Sequence, residues 1–69
     1  MNIKEKLGRR VKVLRITKGW SQMELGFRAD IGHNYISDLE RGQRNVSLII
    51  IERIAKALEI EVWQLLEFK

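Results

Sequence analysis

An all-α domain of five short helices is what this sequence predicts, on three observations. Apolar residues recur at steps of three and four, helix-start signals precede two of those stripes, and glycines stand where stripes stop. Proline is absent from all 69 residues, so the strongest helix breaker is missing. The first stripe is Ile3, Leu7, Val11 and Leu14, a helix running to Lys18 and ended by Gly19. Ser21 with Glu24 three residues on has capping-box spacing, and Trp20 with Leu25 has that of a hydrophobic staple. That second helix reaches about Ala29, and Asp30-Ile31-Gly32 makes a short turn. A third helix is expected from His33 to Arg41, stopped by Gly42. After the polar loop Gln43-Arg44-Asn45-Val46, Ser47 caps a fourth helix with a core stripe of Leu48, Ile51, Ile54, Ala55 and Leu58. A short fifth helix is placed at Val62 to Leu66, with Trp63 and Leu66 inward.

The chain is 45% hydrophobic and 32% charged, which suits a folded domain rather than a disordered tail. We expect residues 1–69 to form one domain. At this length apolar burial barely offsets the entropy of ordering the chain. No cysteine is present for disulfides, and His33 is the only histidine, so no structural metal site or cofactor is expected. The same lack leaves no triad or metal-hydrolase arrangement, which argues against an enzyme. Burial between two copies is the remaining source of stability, so a homodimer is expected. No apolar run approaches the ~18 residues that span a bilayer, and Met1–Lys6 lacks the apolar stretch of a signal peptide. The simplest expectation is a cytoplasmic protein, with no membrane partner and no small-molecule ligand.

The net charge is +4, and its placement is uneven. Residues 1–18 hold Lys4, Lys6, Arg9, Arg10, Lys12, Arg15 and Lys18 against Glu5, whereas residues 59–69 hold Glu59, Glu61 and Glu67 against Lys69. A basic face for a polyanion is the functional reading of that asymmetry, and a solvated helix surface is the plain one.

Helices two and three, joined by a turn of about three residues, should cross steeply with their backbones close together. That geometry needs a small residue, and Gly26 supplies it at a cost of ~1 kcal/mol in a helix interior. Leu25, Ala29, Ile31, Ile36 and Leu39 provide the apolar faces that lock the pair. The order of elements and the stretch from Arg15 to Leu58, carrying KGWSQMELG, YISDLERGQRN and IERIAKAL, resemble the Cro/C1-repressor type of helix-turn-helix, also called the XRE family. Within it, Tyr35-Ile36-Ser37, Glu40-Arg41-Gly42 and Arg44 to Leu48 look most like the controller proteins of restriction-modification systems. The sequence departs from the family's usual pattern at four places. Gly26 replaces alanine at the small site, Asp30 a turn glycine, and Glu59 a glycine after helix four, while Gly32-His33 stands where controllers often carry an acidic and then a basic residue.

The resemblance implies a helix-turn-helix at about residues 22–41 and a transcriptional regulator that binds a pseudo-palindromic duplex as a homodimer. An antitoxin-type interaction module or a phage-type repressor of the same fold is the alternative. The third helix would enter the major groove, with His33, Asn34, Ser37 and Asp38 reaching base edges. Asn34 can pair with adenine N6 and N7, and Asp38 can accept from cytosine N4. Ser21, Gln22, Tyr35, Gln43, Arg44 and Asn45 would contact phosphates; for Gln22 the positive end of helix two adds a reason. Arg15 and Glu40 would pair structurally between helices one and three. Ile49, Ile50, Leu65 and Phe68 would meet the second copy, with residues 60–69 as the dimerisation helix.

Overall fold

The computed structural model describes residues 1–68, which form five helices. They are α1 (Ile3–Thr17), α2 (Gln22–Ala29), α3 (His33–Glu40), α4 (Leu48–Ala57) and α5 (Val62–Leu65). Three of the starts carry a side-chain cap. Asn2 and Glu5 exchange side-chain and backbone hydrogen bonds at α1, Ser21 accepts from the Glu24 N–H at α2, and Ser47 accepts from the Ile50 N–H at α4. The expected capping box at α2 is only half formed, because the Glu24 carboxylate turns to Arg28 four residues on (2.7 Å).

α3 lies against both α1 and α2, α4 closes the far side of α2, and α5 bridges α4 to α1. Val11, Leu25, Ile36, Leu39, Ile54, Leu58 and Leu65 are sealed at the centre. Each such side chain contributes about 1.5–3 kcal/mol of burial. Trp20 packs on the edge of this core, and the Arg28 guanidinium lies 4.3 Å from its ring centroid. Gly8 allows α1 and α3 to approach: a Cβ there would stand 2.4 Å from the Leu39 carbonyl oxygen. Gly26 does the same at the α2–α3 turn, where a Cβ would stand 2.5 Å from the Ile31 carbonyl oxygen.

Asp30, which stands where the resemblance has a turn glycine, is left-handed (φ 57°) and directs the chain from α2 into α3. α4 also ends in a left-handed residue, Glu59 (φ 60°), so the turn keeps its shape without a glycine. Several expectations about facing are corrected. Ile3 and Leu48 sit at the first residue of their helices, outside the packed turns, and are exposed rather than core. In α5 the facing is reversed: Leu65 is sealed in the core, Trp63 is 64% exposed, and Leu66 also faces solvent. A helix of four residues has one turn, so its phase is set by how the Glu59 turn delivers the chain, not by its own stripe. Leu65 is therefore not available to a second copy. Within residues 60–68 the helix covers Val62–Leu65, shorter than the expected span of 60–69, and Lys69 lies outside the described residues.

Candidate nucleic-acid interface

α3 begins without a side-chain cap, because the N-cap is Gly32. Free N–H groups and the helix dipole thus open toward solvent where His33 and Asn34 are exposed. Ile36 and Leu39 turn into the core, leaving Asn34, Ser37 and Asp38 on the outward side.

What fixes this helix is a buried polar network at its other end. Arg15 Nε and Nη2 donate to Glu40 Oε2 and Oε1 at 2.7 and 3.0 Å, and Arg15 Nη1 donates to the Trp20 carbonyl at 2.7 Å. The two side chains retain 11% and 3% of their exposure, so this bidentate pair is shielded from solvent. Gln22 Nε2 adds a third donor to Glu40 Oε1 at 3.0 Å. One carboxylate therefore ties α1, the start of α2 and the end of α3 together. Gln22 is half-buried by this contact, with its backbone N–H at the first turn of α2. Ser21 beside it is exposed, and its hydroxyl caps the helix.

Ser37 and Asp38 are engaged within the chain. Arg41 Nη1 donates to Ser37 Oγ at 2.7 Å, Arg41 Nη2 to Asp38 Oδ1, and Arg44 Nη2 to Asp38 Oδ2 at 3.1 Å. Asp38, expected to accept from a cytosine, thus has each oxygen occupied by an arginine. Arg44 also lies over the Tyr35 ring, 4.8 Å from its centroid, so these two expected phosphate contacts form one stacked unit. Gln43 and Asn45 are exposed on the following loop, and Gln43 Nε2 donates weakly to the Arg41 carbonyl (3.4 Å). Arg41 was missed by the sequence reading, although its spacing from Ser37 and Asp38 is that of a helical side-chain pair. Met23 and Phe27 were missed too: they line the cleft beside His33 and are 64% and 83% exposed. They sit four residues apart on α2, off the Leu25–Ala29 stripe.

The basic N-terminal helix is not uniformly a face for polyanions. Arg15 is buried with Glu40, and Arg10 Nε and Nη2 donate to the Gln64 carbonyl at 3.2 and 2.9 Å, clamping α5 onto α1. Of the residues expected to meet a second copy, Ile49 is exposed, whereas Ile50 and Phe68 are half-buried against the core. Val13, Ile16, Leu48, Val62, Trp63 and Leu66 are further exposed apolar side chains. Among the described residues, no helix is long and apolar enough to cross a membrane.

Comparison with known proteins matches residues 11–62 to the helix-turn-helix family. The control protein C.BamHI of Bacillus amyloliquefaciens is 47% identical over 68 residues, covering 97% of this chain and 84% of that one. The crystal structure of the restriction-modification controller protein C.AhdI from Aeromonas hydrophila superposes with a TM-score of 0.88 at 45% identity, over 90% of this chain and 94% of that one. SinR, a master regulator for biofilm formation solved in complex with DNA, matches with a TM-score of 0.83 at 34% identity, over 88% and 98% of the two chains.

Proposed function

The chain belongs to the helix-turn-helix family, and from that premise we propose that it is a duplex-DNA-binding transcriptional regulator of the controller kind, acting as a homodimer on a pseudo-palindromic site. The observation that carries the proposal is the outward polar side of α3, opened by His33 and Asn34 on a helix whose far end is locked by Arg15 and Glu40. Asn34 reads adenine, because a carboxamide can both accept from N6 and donate to N7. His33 donates to guanine N7 or a phosphate at the same end of the helix. Ser21, Gln22, Tyr35, Gln43, Arg44 and Asn45 hold the backbone on either side, which sets register without reading sequence. Ser37 lies on the same side of α3, with its hydroxyl shared by Arg41.

The second copy meets α4 through Ile49, with Ile50 and Phe68 at the margin. A two-fold pair of this kind would set its recognition helices on the order of 34 Å apart, one turn of duplex. Selection of bound duplexes from a random pool, then footprinting of the winner, tests this reading. Two protected half-sites centred about one helical turn apart are expected. Recovery of duplexes with no shared sequence would overturn it.

A further inference from the structure

Asp38 stands in the last turn of α3, where the negative end of the helix dipole disfavours a carboxylate. It is held there by two cations: Arg41 on Oδ1 and Arg44 on Oδ2. The arginines are anchored in turn, Arg41 by the Ser37 hydroxyl and Arg44 by the Tyr35 ring. The Arg41, Arg44 and Asp38 side chains keep 60%, 47% and 31% of their exposure, and ion pairs this open add little to stability. The cluster lies at the edge of the side of α3 that carries Asn34.

We propose that Asp38 is a positioning residue that sets specificity: it holds Arg41 and Arg44 ready for the duplex and masks part of their charge from phosphates out of register. Two consequences follow from the geometry. Arginine side chains lose rotamer freedom when they bind, and a partner that has already ordered them lowers that loss at the matching site. Arg44 gives one of its five N–H donors to Asp38, so its remaining donors stay available. The carboxylate also offsets one of two positive charges, which weakens the sequence-independent attraction that random duplex would otherwise gain. This inference rests on the reading that α3 faces duplex DNA.

Asp38→Asn keeps the size of the side chain and removes its charge. The whole chain and this variant are titrated with a mixed-sequence duplex and with a duplex selected from a random pool, over a range of salt. On mixed sequence the variant should bind roughly three- to tenfold tighter, with a salt slope steeper by about one, the change expected for one more neutralised phosphate. The selected duplex should gain less, so the ratio of the two affinities falls, while the melting temperature stays put. Asp38→Glu, which can still pair with both arginines, should restore most of the ratio. Weaker binding of the selected duplex with a changed preference at one C·G pair, and no gain on mixed sequence, would make Asp38 a base reader and overturn the proposal. Equal weakening on both duplexes with a lower melting temperature would make it structural and overturn it as well. A parent chain that binds neither duplex would remove the DNA-binding reading itself, before any variant is compared.

Discussion

Asn34 and Arg15 illustrate two kinds of residue on which a recognition helix depends. Asn34 is exposed at the first turn of α3, so its truncation leaves packing intact. Asn34→Ala should cost about 1–3 kcal/mol on the selected duplex and little on mixed sequence. Titration of both duplexes checks this, and equal losses would show that Asn34 only supports the helix start. Arg15 is the opposite case. Its removal strands the Glu40 carboxylate, 3% exposed, with Gln22 as the side-chain donor left to it. Arg15→Ala should therefore destabilise the fold by about 3–5 kcal/mol in chemical denaturation. A variant that melted like the parent would show that the pair is dispensable.

At the scale of the element, what matters is where helices end and how close they come. Glu59 holds a left-handed conformation that costs an L-residue about 1–2 kcal/mol, and its ion pair to Lys18 at 3.6 Å is open to solvent. Glu59→Gly relieves the strain but loosens the unfolded chain, for a net gain of about 0.5–1 kcal/mol. That corresponds to a rise in melting temperature of several degrees in a domain of this size. Gly8 carries the reverse prediction. Alanine would gain about 1 kcal/mol in helix propensity, yet its Cβ would meet the Leu39 and Glu40 carbonyl oxygens at 2.4 and 2.7 Å. Backbone atoms cannot turn aside as a side chain can. Gly8→Ala should thus force α1 from α3 at a net cost of about 1–3 kcal/mol, read as a lower melting temperature.

For the whole molecule, the question is which apolar surface the fold leaves unused. Ile49 is 63% exposed on α4, while Leu65 is sealed inside the protomer. Ile49→Asp should leave the circular dichroism spectrum of the folded protomer unchanged and shift sedimentation from dimer to monomer. Leu65→Asp should unfold the chain, because it places a charge in the apolar core. If Ile49→Asp sediments like the parent, α4 is not the contact between copies.

Five helices, the short turn at Asp30-Ile31-Gly32 and the small residue at Gly26 were legible in the sequence. Each follows from a local pattern: stripes of three and four, a short polar side chain at a tight turn, a glycine where two backbones cross. The α1–α3 approach at Gly8 carried no such local mark. Nor did the commitments of the polar residues. Nothing local to Asp38, Arg10 or Gln22 announced the partners they find inside the chain: Arg41 and Arg44, the Gln64 carbonyl and Glu40 respectively. The facing of α5 was equally hidden, since one turn of helix takes its phase from the chain before it. Period and capping act over a few neighbouring residues and are written in the sequence itself. Which polar groups find partners, and which side of a single turn is buried, depend on elements up to 54 residues apart and are decided only when those elements pack.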